Sequence, residues 1–222
     1  MSAALRTRLL GALTAVASAL VPVAAQAQVT FDELPQGSFL AIPNPYQGKN
    51  WYYVEANGAP TALQYSTLGT RCRSAPNCAY NANGTAAIRI DALTTNEADA
   101  FTFSGYLSGG YPGFGTAATF ALVQGFVGAS TTATFSQLLA LPADQSWILA
   151  NFTTTNVNRI QISSATAQGT ATNGYILLDD VTFGRAATTP PVTAVPEPGT
   201  VALVATGLLG LAGAARRRRR VV

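Results

Sequence analysis

Few side chains in this sequence could carry catalysis. The 222 residues include no histidine, which excludes the Ser-His-Asp and Cys-His arrangements that activate a nucleophile. A pair of carboxylates could still supply the acid and the base of a glycoside hydrolase, and the candidates are Asp91, Glu97 and Asp99 in RIDALTTNEADAF. The alternative is that these acids are exposed charges of a surface connection. We therefore predict that the protein is not an enzyme and keep a secreted, carboxylate-dependent glycan hydrolase as the second hypothesis.

The two cysteines, Cys72 and Cys78, enclose a short polar segment in RCRSAPNCAY. Two thiols in a chain without histidine are too few ligands for a zinc-type site built from cysteine and histidine. In an oxidising compartment such a pair is expected to close a small disulfide loop. Two free thiols are the alternative.

Aromatic side chains are the candidates for ligand binding. The faces of aromatic rings pack on the apolar C–H patches of sugars, while nearby polar groups supply hydrogen bonds. On this basis Trp51, Tyr106 and Tyr111 are candidate glycan contacts. The alternative is packing in the core, because alternation in WYYVE places Trp51 and Tyr53 on one face of a strand and Tyr52 on the other.

The elements that must position these residues are short strands. Runs with alternating or β-branched and aromatic residues recur between Phe31 and Phe183, separated by turn residues such as glycine and asparagine, and no sustained helical period is present. The runs are SFLAI, NWYYVEA, TAAIRIDAL, DAFTFSGYL, TATFSQLLAL, SWILANFTT, VNRIQISS and YILLDDVTF. Eight such runs in one domain predict an all-β fold, either a two-layer antiparallel sandwich or a barrel, over residues 28–185.

The N-terminus has the layout of a secretory signal peptide. Arg6 and Arg8 precede the apolar run from Leu9 to Ala25, and a small-x-small site ends at Ala27. We predict that residues 1–27 are removed on export. A retained anchor is the alternative, but the helix-breaking Pro22 near the end of the run argues against it.

The basic charge of the chain is concentrated at its two ends. Residues 28–185 hold six basic and nine acidic side chains, which gives a net charge of about −3. A patch that neutralises phosphates is therefore not expected, and we predict no nucleic-acid partner.

The C-terminus has three parts that follow a Thr/Pro-rich linker at residues 186–194. They are a VPEP sequence, an uncharged apolar stretch at 200–215 and five arginines. As a helix the apolar stretch would span about 24 Å, somewhat short of a hydrocarbon core of about 30 Å. The arginines would stay on the cytoplasmic side. The residues that carry the pattern are Val195, Pro196, Glu197, Pro198, Arg216, Arg217, Arg218, Arg219 and Arg220.

This arrangement at residues 195–222 resembles the PEP-CTERM sorting signal of Gram-negative bacteria. The resemblance implies a precursor held transiently in the inner membrane by a C-terminal helix. It also implies recognition and cleavage by an exosortase, with transfer of the body to the cell surface or extracellular matrix. A plain single-span anchor is the alternative.

The body resembles bacterial extracellular jelly-roll domains of the carbohydrate-binding-module type. The resemblance spans Val29 to Gly184 and rests on VTFDELP, DAFTFSGYL, ATFALVQGFVGAS, WILANFTTTNVNRIQISS and GYILLDDVTFG. It implies that the first and last strands lie close together and hold a structural Ca²⁺ through acidic side chains. The candidate ligands are Asp32, Glu33, Asp179 and Asp180.

Carboxylates are the oxygen donors that Ca²⁺ prefers, and a charged group inside an apolar strand requires compensation. Alternation places Asp179 and Asp180 on opposite faces of the last strand. The alternative is that both acids mark an exposed strand end.

The sequence thus predicts an exported, non-catalytic protein of the cell envelope or extracellular matrix. Its expected partners are an exosortase and an exopolysaccharide or another envelope component.

Overall fold

The computed structural model describes residues 28–55, 59–110, 113 and 115–186. This part of the chain is all-β and forms thirteen strands joined by loops and short 3-10 turns. The strands are β1 (Gln28–Val29), β2 (Leu40–Ala41), β3 (Asn50–Val54), β4 (Thr61–Ala62), β5 (Gln64–Thr67), β6 (Asn77–Tyr80), β7 (Ala87–Asp91), β8 (Phe101–Gly109), β9 (Phe120–Phe126), β10 (Phe135–Ala140), β11 (Ile148–Val157), β12 (Arg159–Ala165) and β13 (Ile176–Gly184).

The strands form two antiparallel sheets. In the described residues, one sheet has seven strands in the order β11-β8-β13-β6-β5-β2, with β1 also paired to β13, and the other has six in the order β10-β9-β12-β7-β3-β4. Consecutive strands often lie in opposite sheets, so the chain crosses repeatedly between the two layers, as in jelly rolls. The predicted all-β antiparallel sandwich is confirmed, and the first strand lies beside the last.

The core lies between the two sheets. Inward residues of the six-stranded sheet, such as Trp51, Ile88 and Ile160, are fully buried in one cluster with Phe103 and Leu178 of the seven-stranded sheet. Because side chains alternate across a strand, the same strands send their intervening residues to the outer face of the sheet.

The outer face of the seven-stranded sheet is covered at β8, although it is exposed at Leu149 and Asn151 of β11. Phe101 and Phe103 of β8 are buried inward as their alternation predicts, but Thr102 and Ser108 on the opposite face are also buried. The Ser108 hydroxyl donates to the carbonyl of Gln145 at 2.7 Å, in the loop before β11. The strand is therefore covered on both faces.

The first compact unit of the chain ends at Ala186. Within residues 28–186, apart from the short gaps at 56–58, 111–112 and 114, no helix has the length and apolar character needed to cross a membrane. The predicted signal peptide, linker residues 187–194 and the C-terminal sorting signal lie outside the described residues.

Candidate functional site

The two cysteines form a disulfide, as predicted. Cys72 and Cys78 are bonded with their Cα atoms 5.4 Å apart. Both pack with Tyr80 and Leu177 in a small second core, against which Trp147 is partly buried. We call residues 68–76 the disulfide loop; this loop packs against β13 on the outer side of the seven-stranded sheet.

Two acids of β13 hold the disulfide loop in place. The carboxylate of Asp179 accepts hydrogen bonds from the Ser74 backbone N–H at 2.9 Å and from the Ser74 hydroxyl at 3.0 Å. Asp180 forms an ion pair with Arg73. Burial raises the pKa of Asp179 to about 7.

Two sequence-based interpretations of these acids are wrong: the alternative to calcium binding, and the placement of the acids on opposite faces. Asp179 and Asp180 do not mark an exposed strand end, since they are 0% and 4% exposed. They do not serve opposite faces either, because adjacent residues of the disulfide loop bind both. The cause is a shift of register between Asp179 and Thr182, where Asp180 takes a left-handed φ of 50°; such an irregularity turns side chains away from simple alternation.

The other two candidate calcium ligands also bind protein donors. Asp32 accepts from the backbone N–H of Asn77 at 3.1 Å. Glu33 accepts from the Tyr46 hydroxyl at 2.7 Å, and this bond, with one from Gln47, lowers the pKa of the glutamate. Across the described part of the chain, no three acidic, cysteine or histidine side chains gather as a metal site would require. Calcium binding stays a prediction.

The three aromatic residues predicted to contact a glycan differ in their exposure. Trp51 is 0% exposed, and its indole N–H donates to the carbonyl of Tyr46 at 2.8 Å, so its ring cannot pack on a sugar. Tyr106 is half-buried, with the guanidinium of Arg73 3.6 Å from its ring centre. Tyr111 lies outside the described residues. Trp51 is therefore withdrawn as a glycan contact.

A row of polar side chains crosses the outer face of the six-stranded sheet. The strand register places these residues side by side on five neighbouring strands. With about 4.8 Å between strands the row extends about 19 Å, enough for several linked sugar rings. We call it the polar row. Its members are Ser136, Gln124, Gln161, Arg89 and Tyr52.

A pocket of about 360 Å³ adjoins the polar row. Its floor comes from the next row of the same face, in which Asp91 pairs with both Arg159 and Asn50. Arg89 belongs to the polar row and also lines the pocket. The walls are the loops after β7 and β9. We call this the arginine pocket, defined by Arg89, Arg159, Asp91 and Asn50.

Asn158, buried between β11 and β12, holds the two walls together. Its side-chain carbonyl accepts from the Gly128 backbone N–H at 2.8 Å, and its amide donates to the carbonyl of Asn96 at 2.9 Å. One side chain thus fixes both loops, which gives the pocket a defined shape without a bound ligand.

The charges of the arginine pocket are unevenly paired. The Arg89 guanidinium donates from Nε to both oxygens of Asp91 at 2.9 Å and from Nη2 to one of them at 2.5 Å. These bonds raise the pKa of Arg89. Burial and the neighbouring Arg89 lower the pKa of Arg159. The pocket therefore holds one neutralised arginine and one arginine whose charge is not balanced.

Among the residues that define the arginine pocket, only Asp91 was singled out from the sequence, and then as a candidate for hydrolysis. The available signal was the alternation of polar residues with isoleucine in AIRID and RIQIS, which indicates that Arg89, Arg159 and Gln161 face outward. The sequence could not show that these residues lie side by side, because alternation does not say which strands are neighbours.

Residues 194–220 match a family model described as the PEP-CTERM protein-sorting motif. The chain carries a PEP-CTERM sorting motif. This confirms the resemblance found at the C-terminus, and the PEP-CTERM motif implies an exported protein whose precursor is anchored through its C-terminal end. No curated protein matches the chain.

Several solved structures are similar to the body at low identity. A cleaved adhesin domain of Lys-gingipain from Porphyromonas gingivalis has a TM-score of 0.46 at 11% identity, covering 72% of this chain and 98% of that chain. A family 22 carbohydrate-binding module of a Clostridium thermocellum xylanase has a TM-score of 0.37 at 9% identity, covering 74% and 96%. The enzymatically active domain of a bacteriophage tailspike protein has a TM-score of 0.32 at 10% identity, covering 62% and 19%. At these TM-scores, such neighbours assign no function to the chain.

Proposed function

We propose that this chain is an exported, non-catalytic protein whose sandwich binds an extracellular polysaccharide along the polar row. The observation that carries the proposal is the row itself, which is in register across five strands and lies beside a preformed pocket. Amide, guanidinium and phenol groups at regular spacing match the repeating hydroxyl groups of a polymer, and sites of this kind combine polar anchors with apolar surface.

The sorting motif supports the location. The PEP-CTERM motif implies processing by an exosortase, and the processed body would reside at the cell surface or in the extracellular matrix. An extracellular polysaccharide is the abundant polymer of that compartment and would retain the body there.

The environment of the acids considered for hydrolysis supports a binding protein over a hydrolase. Both oxygens of Asp91 are engaged by Arg89, and Asp99 accepts from the Thr94 hydroxyl. A glycosidase needs one carboxyl group that gives up a proton and another that attacks or activates water. A carboxylate bound on both oxygens by a guanidinium is poorly suited to either role.

Binding is tested with the full chain purified in detergent, screened on a glycan array and then by affinity electrophoresis in soluble polysaccharides. Gln161→Ala and Tyr52→Ala should each weaken retention about fivefold, as expected for one lost hydrogen bond or ring contact. Gln168→Ala is the matched control, since Gln168 is exposed in the turn after β12. Absence of retention by every glycan would reject the proposal in favour of a structural role. Release of reducing sugar would support the hydrolase.

A further inference from the structure

The arginine pocket carries a net positive charge although the body as a whole is acidic. Its charged lining consists of Arg89, Arg159 and Asp91. The ion pair between Arg89 and Asp91 neutralises two of these, which leaves Arg159. Within about 10 Å, the Debye length at 0.1 M salt, this local charge determines which ligand the pocket attracts.

Arg159 has donor capacity to spare. Its Nη2 donates to the carbonyl of Ser130 at 2.8 Å, and its guanidinium carbon lies 4.1 Å from the ring centre of Phe126. Its Nε is buried and meets no acceptor among the described residues. Burying a donor without an acceptor is unfavourable. An anionic ligand in the pocket would not reach this enclosed atom, but it would compensate the charge of the guanidinium as a whole.

The rest of the lining suits a sugar better than a simple ion. Asn50 and Thr95 offer donors and acceptors for hydroxyl groups. Leu93, which is 53% exposed at the rim, offers an apolar contact for C–H groups. The volume of about 360 Å³ falls in the range of small-ligand sites. A ligand that uses all of these groups is a polyhydroxylated anion.

We propose that the arginine pocket binds the carboxylate of an acidic sugar unit, so that the polysaccharide bound by this protein is a polyuronate. The inference rests on the proposed function, because it treats the pocket as part of the polysaccharide site along the polar row. Arginine is the side chain best suited to the task, since its planar fork matches a carboxylate with two parallel hydrogen bonds.

The test compares polymers that differ only in charge. The full chain in detergent is titrated with alginate and with polygalacturonate, and in parallel with the same polymers after reduction of their carboxyl groups to alcohols. Tighter binding of the acidic forms, about tenfold or more, is expected. Dextran sulfate provides a third arm that separates carboxylate recognition from attraction to any polyanion.

The variants locate the effect. Arg159→Gln should lose the preference for the acidic forms, while Arg185→Gln, which removes one positive charge at an exposed position outside the pocket lining, should retain it. Arg159→Lys keeps the charge and loses the fork, so its preference should be intermediate. This variant tests the inference even if Arg159→Gln does not fold. Melting curves of each variant verify folding.

The outcomes separate the two proposals. Equal binding of acidic and reduced polymers would overturn the polyuronate inference and leave polysaccharide binding intact. Equal loss in Arg159→Gln and Arg185→Gln, or binding of dextran sulfate as tight as that of alginate, would also overturn it, because either result indicates nonspecific attraction. Failure to bind any glycan would reject both proposals.

Discussion

At the scale of single residues, Asp179 has an unusual environment for a carboxyl group. It is a fully buried carboxyl that accepts from the backbone N–H of Ser74 and from that of Asp180. These bonds favour the charged form, but burial outweighs them and raises the pKa to about 7. The folded protein therefore binds a proton that the unfolded chain, with a pKa of about 3.9, releases.

This shift makes stability depend on pH. Between about pH 4 and pH 7 the folded state holds more protons at this position than the unfolded state, so its contribution to the free energy of unfolding falls as pH rises. In Asp179→Asn that contribution is absent. The free energy of unfolding of the wild-type protein minus that of Asp179→Asn, measured by urea titration from pH 4 to pH 8 with a chelator present, should fall as pH rises. Parallel curves would contradict the assignment.

Calcium binding by Asp32, Glu33, Asp179 and Asp180 is tested separately. Binding would require the guanidinium of Arg73 to leave Asp180. A melting temperature that rises with calcium, and that no longer rises in Asp180→Asn, would support the prediction. Equal melting in calcium and in chelator would contradict it.

Single residues also show what alternation can predict. The period of two in WYYVE predicts that Trp51 and Tyr52 lie on opposite faces, as they do, but it does not say which of the two is buried. The pairing of Ser74 with Asp179 does not follow from alternation, because the two residues are 105 positions apart and meet only once β5, β6 and β13 are neighbours.

At the scale of elements, the disulfide loop acts as a lid on β13. Replacing both cysteines, as in Cys72→Ser with Cys78→Ser, should destabilise the protein by about 2 kcal/mol, the loop-closure value for a ring this short. For a domain of this size, that corresponds to a fall in melting temperature of roughly 4–8 °C.

The same variant should change the fluorescence of Trp147, which packs against the disulfide cluster. Trp51 lies in the main core and not in that cluster. In Trp147→Phe only Trp51 emits, so the spectrum of that variant gives the reference signal that loss of the disulfide should not change. An unchanged melting temperature and spectrum would mean that the two acids of β13 hold the loop without the disulfide.

Strand β9 contains a position where only glycine fits. A Cβ at Gly125 would overlap the ring of Phe135, and that ring cannot retreat because it is stacked on Phe152 with ring centres 4.7 Å apart. Gly125→Ala should therefore destabilise the protein by about 1–3 kcal/mol. Adding Phe135→Leu should recover part of the loss in thermal melts. If the melting temperature does not recover in the double variant, the overlap with Phe135 is not the cause of the destabilisation.

The elements were largely predictable, whereas their pairing was not. All eight runs chosen from the sequence overlap strands of the structure, because each run carries its own alternation. Among the strands outside these runs, β6 has no sequence signal because NCAY is buried at all four positions and shows no period. The polar row depends on strand order, which is set by contacts across both sheets.

At the scale of the whole molecule, the sorting motif and the sandwich are separable. Replacing Pro196, Glu197 and Pro198 with alanine should prevent processing, so the full-length chain should accumulate in the membrane fraction on immunoblots. Pro190→Ala with Pro191→Ala is the matched control, since these prolines precede the motif. Equal release of both variants would contradict processing at the motif.

The position of β13 has a mechanical consequence. The chain passes from β13 towards the sorting motif, and β13 is hydrogen-bonded to β8 on one side and to β6 and β1 on the other. Tension applied beyond Ala186 and directed along β13 would load both of its ladders in shear, so that many hydrogen bonds resist together. If a polymer is held on the opposite sheet, the load crosses the packed core before it reaches that polymer. A body held at its C-terminal end would therefore resist tension through two strand ladders and the core together.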